Sequence, residues 1–240
     1  MTPTWIEHAA TVLDIHLTDT QVAQFDTYAA ELVAWNERVN LTAITDLPAI
    51  QVRHFLDSLT LIQAGILPDG ARVMDVGTGA GFPGLPLQIA FPHIHTTLLE
   101  ATGKKVAFLD HVIHALGLAN ARTVQFRAEE AGHLPEHREQ YDLVTARAVA
   151  RLPSLAEYML PLTRIEGRCI AMKGASALTE AADARQALAV LGGRLAGVEA
   201  VTLPGVDEPH YLVVIEKIAP TPSVYPRKPG IPTRKPLRKG

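Results

Sequence analysis

The chain is short of cysteine, of long apolar runs and, in one segment, of acid. Cys169 is the one cysteine among 240 residues. That excludes a disulfide framework and a cysteine-based zinc site, and it suits a reducing compartment. No apolar stretch approaches the ~20 residues that a membrane helix needs. The opening MTPTWIEHAA has no basic segment leading into an apolar core, so no secretion signal is expected. With 48% hydrophobic and 20% charged residues, disorder throughout is excluded. The expectation is a globular cytoplasmic protein with no membrane partner.

The last 21 residues contain no acid but six bases: Arg227, Lys228, Arg234, Lys235, Arg238 and Lys239. The whole chain has 22 basic and 25 acidic residues, so the body is clearly acidic and the tail basic. A polyanion partner is one reading of this asymmetry, and a solubilising end is the other. Six prolines in the tail argue against a regular helix. It should run extended or stay mobile, with its cations facing phosphate, unless Tyr225 and Ile231 pin it to the body.

What is present divides into three parts. Residues 1–65 read as a helical extension: Thr18 and Gln21 form a capping box before a helical apolar pattern ending at Trp35. Asp46 and Pro48 open another helix carrying Phe55, Leu59 and Ile62. Residues 66–219 alternate strands and helices. Strands are expected at RVMDVG, 95–100, 122–126, 141–146, 168–173, 194–203 and 210–218, with helices near 82–90, 104–117, 151–162 and 177–191. Such alternation implies a mainly parallel sheet covered on both faces. The last two strands, joined only by LPGVDEP, should be antiparallel. Residues 220–240 form the basic, proline-rich tail.

Asp75-Val-Gly77-Thr-Gly79-Ala-Gly81 lies where the first strand gives way to a helix. Glycines there permit positive φ and close backbone approach to a ligand. A dinucleotide pattern, Gly79-Ala-Gly81-Phe-Pro-Gly84, also fits, but it starts two residues late and places Pro83 at the helix start. The acid-led register is the form used for S-adenosylmethionine, where Asp75 would set negative charge near a sulfonium. Glu100 ends the second strand, where a carboxylate can hold both ribose hydroxyls, a need shared with nicotinamide cofactors. Ala128 and Glu129 follow the third strand, at the place of an adenine edge; Glu129 and Glu130 also suit a helix start.

Several chemistries lack their residues. Cys169 lies inside an apolar strand and reads as a buried, inert thiol rather than a nucleophile. The turn after strand four reads Thr145-Ala146-Arg147-Ala148, without the Asn/Asp-Pro-Pro-aromatic motif of exocyclic-amine methylation. His93, His95, His111 and His114 show no zinc spacing, so no metal is expected. What survives is attack by an atom with a free lone pair, such as a purine N7, which needs no general base. Rival readings are a nicotinamide oxidoreductase, a non-catalytic ribosome-assembly factor and a small-molecule methyltransferase.

Together these residues resemble the glucose-inhibited division protein B family, bacterial 16S ribosomal RNA guanine-N7 methyltransferases. The resemblance runs through WNERVNLTAI, RHFLDSL, DVGTGAGFPGLPL, LLEATGKKVAFL, TARA, AMKG and YPRKPGIPTRKPL. It implies a Rossmann-like α/β methyltransferase fold, with a seven-stranded mainly parallel sheet and an N-terminal helical extension. It implies S-adenosylmethionine as cofactor, held by Gly77, Phe82, Glu100, Ala101, Thr102, Ala128, Glu129 and Arg147, alongside the glycine loop's Gly79 and Gly81. The partner implied is 16S ribosomal RNA or the 30S subunit, and a monomer is expected. Arg53, Lys104, Lys105, Lys173, Arg227, Lys228, Arg234 and Lys235 are the RNA-facing candidates; no catalytic residue is assigned, and Arg147 and Lys173 are candidates for positioning. An arginine paired to N7 would block the acceptor, so Arg147 should hold O6 or phosphate. The alternative reading of Arg53 is a surface pair with Asp57, four residues on. His54, Trp35, Asn36 and Asn40 read as structural.

Overall fold

A computed structural model describes residues 4–65 and 67–237. Arg238 and Lys239 of the basic tail lie outside the described residues.

The N-terminal part is helical for local reasons. After α1 (Thr4–Val12), α2 (Asp19–Val39) starts at the expected capping box: Gln21 N donates to Thr18 Oγ1 at 3.3 Å, and Thr18 N donates to Gln21 Oε1 at 2.8 Å. It ends at Asn40, which takes the left-handed conformation at φ 47° that Asn tolerates. Asn36 then organises the turn, its Oδ1 accepting the amides of Leu41 and Thr42. The second helical stretch changes pitch along its length. It begins as α3 (Leu47–Ile50), capped by Asp46, and passes through a π-helical segment (Gln51–Leu56). It then continues as α4 (Asp57–Leu59) and ends in a 3₁₀ turn (Thr60–Ala64). Single π-helical turns in such a helix often occur at functional sites; this one carries Arg53 and His54.

The remainder alternates β1 (Arg72–Val76), α5 (Gly84–Ala90), β2 (His95–Leu99), α6 (Gly103–Ala115), β3 (Ala121–Val124) and α7 (Ala128–Ala131). It continues with β4 (Tyr141–Arg147), α8 (Leu152–Met159), β5 (Thr163–Lys173), α9 (Ala177–Leu191), β6 (Gly193–Leu203) and β7 (Val206–Lys217), followed by the short α10 (Ile231–Arg234). The seven strands lie in the order β3-β2-β1-β4-β5-β7-β6. Neighbours pair in parallel except around β7, which is antiparallel to both β5 and β6. The order reverses between β1 and β4, so the ligand crevice should open at their carboxyl ends. The helix expected from Phe82 begins two residues later, at Gly84, because Phe82 and Pro83 complete the glycine-rich turn.

Each face of the sheet has its own core. On one, Trp5, Phe25, Tyr28 and Phe55 join Leu85, Leu98, Phe108 and Ile170 in one buried cluster. The rings of Phe25 and Phe55 are 4.9 Å apart, and those of Trp5 and Phe25 5.0 Å apart. Trp35 packs on Phe108 at 5.7 Å, a structural place as expected. The other face takes α8 and α9. Ala177, Ala181, Ala184, Leu188 and Leu191 of α9 form a helical stripe in the cluster with Val144, Val213 and Ile215.

The tail departs from expectation. It runs along the body but is not free of helix: it returns over α8 and forms one turn, α10, with Pro232 in the first turn, where proline is tolerated. Tyr225 packs against the second core, as the pinned alternative has it, but the second pin is Leu237 and not Ile231. Arg227 is anchored rather than available: its Nη2 meets Glu157 Oε2 at 2.6 Å, and the Glu157 side chain is 0% exposed. A buried carboxylate needs a charged partner, and Arg227 supplies it.

Candidate functional site

The three glycines of the loop after β1 all have positive φ: 65° at Gly77, 61° at Gly79 and 101° at Gly81. Their surroundings differ. A Cβ on Gly81 would fall 2.6 Å from the Tyr28 hydroxyl and 2.5 Å from Leu85 Cδ1, so this glycine serves packing. On Gly79 it would meet nothing nearer than 4.0 Å, which leaves the crest of the loop open to a ligand. Tyr28 ties the loop down by donating to Ala80 O at 2.5 Å.

Asp75 is fully buried beneath the loop and is not part of the cavity wall formed at the end of β2. Its Oδ2 accepts from Thr78 Oγ1 at 2.5 Å and from Gly84 N at 2.9 Å, joining the loop to α5. Burial pushes its carboxyl up to about 6, against the opposing pull of those two hydrogen bonds.

Glu100 sits at the end of β2 with both carboxylate oxygens engaged: Oε2 accepts from Gly79 N at 3.1 Å and Oε1 from Thr102 N at 2.8 Å. Each oxygen keeps lone-pair capacity for a further donor. Glu100 borders a cavity of about 240 Å³ whose wall also includes Gly77, Ala101, Phe126, Ala128, Glu129 and Val149. The open loop crest, a carboxylate at the ribose position and apolar walls fit an adenosyl group. Phe82 belongs to the loop by its backbone, for its ring is buried, stacked on His54 at 4.5 Å and on Tyr28 at 5.3 Å.

A second cavity, of about 260 Å³, lies on the far side of the segment that leaves β4. Arg147 and Ala148 line this cavity, whereas Val149 and Ala150 line the first. Asp57, Met172, Lys173 and His210 also border it. Arg147 Nη1 meets Asp57 Oδ2 and the carbonyl of Arg53, each at 3.1 Å, and its guanidinium covers the Phe82 ring at 4.8 Å. His210 Nδ1 stands 3.5 Å from Asp57 Oδ1, and the Asp57 carboxylate raises the His210 pKa. His54 is structural, as expected: its Nε2 meets Thr42 Oγ1 at 2.8 Å, and burial, aided by the Arg147 charge, lowers its pKa to about 4.

The RNA-facing candidates separate into two groups. Lys104, Lys228, Arg234 and Lys235 are exposed, Lys105 is half-buried, and none forms an ion pair among the described residues. Lys173 is corrected: its side chain is 9% exposed, it meets Glu180 Oε2 at 2.8 Å, and it donates to Ala150 O. It therefore braces the segment between the two cavities, its ammonium already engaged by Glu180 and the Ala150 carbonyl. The Arg53–Asp57 pair is also corrected. Arg53 Nη2 pairs with Glu208 at 3.2 Å, because Asp57 turns inward to Arg147. Cys169 is buried, and burial pushes its thiol up to about 12, so it is inert as expected.

Sequence reading missed Asp57, Tyr28 and His210. Asp57 lies within RHFLDSL, so its motif was visible while its partner was not. Tyr28 and His210 reach the site from α2 and β7, and nothing local in the sequence marks them. Among the described residues no group of three His, Cys, Asp or Glu is placed to hold a metal, and no helix is long and apolar enough to cross a membrane.

A β3-β2-β1-β4-β5-β7-β6 sheet with an acid-led glycine loop and a β2-terminal glutamate defines a Rossmann-like, S-adenosylmethionine-dependent methyltransferase. Solved structures agree on the fold. A SAM-dependent methyltransferase from Aquifex aeolicus matches with a TM-score of 0.53 at 16% identity, over 71% of this chain and 93% of that one. TrmN from Thermus thermophilus matches with a TM-score of 0.52 at 22% identity, over 68% of this chain and 48% of its own. Within that class the family is narrower. The profile of the GidB family, described as rRNA small subunit methyltransferase G, matches residues 21–207, and the chain belongs to this family. Relatives carrying the name ribosomal RNA small subunit methyltransferase G include one from Roseiflexus castenholzii, 54% identical over 95% of this chain and 97% of its own. Another, from Alkaliphilus metalliredigens, is 48% identical over 94% and 95%.

Proposed function

We propose that the two cavities are the two halves of one methyl-transfer site, from S-adenosylmethionine to N7 of a guanine in 16S ribosomal RNA. The observation that carries this is their adjacency: consecutive residues of one segment line both, Arg147 and Ala148 the second and Val149 and Ala150 the first. S-adenosylmethionine, when bound, supplies an electrophilic methyl on a sulfonium. Gly77, Gly79, Glu100, Ala101, Thr102, Ala128 and Glu129 would hold it, with Phe82 and Gly81 shaping the loop from behind.

The second cavity suits the guanine. Guanine presents an acceptor, O6, beside two donors, N1–H and N2–H. Arg147 donates and Asp57 accepts, and both line the same cavity. Contacts to that edge leave N7 and its lone pair free, so no base has to remove a proton before attack. The protein's main contribution is then alignment. Lys173 and Arg147 act as positioning residues: Lys173 with Glu180 fixes the dividing segment, and Glu180 Oε2 also accepts the Leu152 amide at 2.8 Å. The exposed cations Lys104, Lys228, Arg234 and Lys235 and the half-buried Lys105 serve RNA phosphates, with Arg53 at the rim. The enzyme works as a cytoplasmic monomer on the RNA or the 30S subunit.

The test is transfer of labelled methyl to 30S subunits, and to naked 16S RNA, from cells deleted for the corresponding gene. Nucleoside analysis should show 7-methylguanosine. A labelled product at any other atom, or none with folded enzyme, would overturn the reading.

A further inference from the structure

We propose that the C-terminal strap, residues 220–237, is a working part of the cofactor site. Its turn, Gly230–Thr233, closes the adenine end of the cavity and fixes Glu129. The inference rests on the reading of that cavity as the S-adenosylmethionine site. Gly230 and Thr233 belong to the same wall as Gly77, Glu100 and Glu129, although they lie about a hundred residues or more further along the chain. The Gly230 amide donates to Glu129 Oε1 at 2.9 Å. That bond occupies one oxygen of a buried carboxylate and leaves the other directed by it. Thr233 Oγ1 meets the Tyr158 hydroxyl at 2.8 Å, and Ser154 donates to Pro232 O at 2.9 Å, so the turn is held on α8 independently of any ligand.

The approach to the turn is equally determined. Arg138 donates to the carbonyls of Thr221, at 2.7 Å, and Tyr225, at 2.9 Å. Arg227 then locks onto Glu157. The buried Lys217 meets Glu139 at 3.0 Å, and Glu139 accepts the Thr221 amide at 2.7 Å. A segment with an RNA role alone has no need of this many bonds to the body. Their path ends at the cavity, and a wall made from a late segment couples the chain's terminus to cofactor affinity.

The first test is calorimetry of S-adenosylmethionine binding to the full chain and to a chain ending at Pro229, which keeps the Arg227–Glu157 anchor. Circular dichroism checks that the shortened chain is folded. The expected result is affinity lowered tenfold or more, with the KM for S-adenosylmethionine raised more than kcat falls. Equal affinity, or a loss confined to RNA binding, would overturn the proposal; a full chain that binds no S-adenosylmethionine would overturn the reading of the cavity itself. The second measurement needs no truncation and holds even if the short chain misfolds. Hydrogen exchange of residues 230–237 in the full chain should slow several-fold with saturating S-adenosylmethionine, and unchanged exchange would overturn the strap's role.

Discussion

Arg147 Nη1 lies 3.1 Å from Asp57 Oδ2, and this pair joins the end of β4 to the first residue of α4 in the N-terminal part across 90 residues of sequence. The sequence shows no acid close to Arg147, which suggests a residue reserved for ligand. The structure supplies a distant acid instead, and with it a second role in stability.

Arg147→Ala should therefore lower both activity and stability. Both side chains are largely buried, and removing one partner of such a pair leaves an uncompensated charge, at a cost of ~3 kcal/mol or somewhat less at this partial exposure. Arg147→Lys restores charge but not the planar cover over Phe82, so it should recover part of the stability and little of the activity. Thermal unfolding and methyl transfer per folded molecule check both. An unchanged melting temperature in Arg147→Ala would show that the pair contributes nothing to the fold.

Glu100→Ala should weaken S-adenosylmethionine binding by ~1.5–3 kcal/mol, as for hydrogen bonds to a charged group. Part of that loss is indirect, since Glu100 also holds the amides of Gly79 and Thr102. Glu100→Gln retains one acceptor oxygen but sets an NH2 against the other backbone N–H: it should keep one of the two loop bonds and lose less affinity than Glu100→Ala. Calorimetry on folded variants decides, and unchanged affinity in Glu100→Ala would remove Glu100 from the site.

The sheet, its order of helices and the glycine loop were legible because each rests on short-range pattern. Alternating strands and helices impose a parallel sheet, and the glycines fall where one strand turns into one helix. The residues proposed to hold the cofactor could be named for the same reason, since they lie at consecutive strand ends. The second cavity was not. It is assembled from α4, β4, β5, α9, β6 and β7, and its ion pairs cross from one to another. Charge in sequence says nothing about pairing in space: Lys173 and Arg227 read like Lys104 and Lys228, yet the first two neutralise buried glutamates. The tail's composition, rich in proline and base, describes an extended segment equally well whether docked or free. What docks it is Arg138, Glu157 and Lys217 on the body.

His54 should make the protein acid-sensitive. Its native pKa is lowered to about 4 from an ordinary 6.5, by burial first and by Arg147 second. Below pH 6.5 the unfolded chain takes up a proton that the native imidazole refuses. The stability contributed is present above that pH and lost as pH falls toward about 4, a change on the order of 3 kcal/mol. Asp75 has the opposite sign. Raised to about 6, it favours the native state at low pH and loses that contribution as pH rises through 6. His54→Gln should flatten the acid limb of the stability profile, and Asp75→Asn should steepen the net fall toward acid. Denaturant unfolding from pH 4 to 7.5 measures both, and parallel profiles for wild type and His54→Gln would show that His54 does not titrate as described.

RNA binding should depend on some of the basic residues and not on others. A cation that neutralises a phosphate releases counterions, so log affinity falls with log salt at a slope of about −0.7 per contact on single strands. Lys104, Lys228, Arg234 and Lys235 are exposed and have no acid partner among the described residues. Replacing all four with glutamine should flatten the slope by up to ~3 while the melting temperature moves little. Arg227→Gln should do the reverse. It leaves Glu157 buried without its partner, costing ~3–5 kcal/mol of stability, and keeps the slope. Point substitutions are required because truncation would also remove the cavity wall at Gly230 and Thr233. Filter binding of 16S RNA across a salt series, paired with thermal unfolding, tests the division. If the fourfold variant keeps the wild-type slope, these cations do not face phosphate, and the RNA must track along another surface.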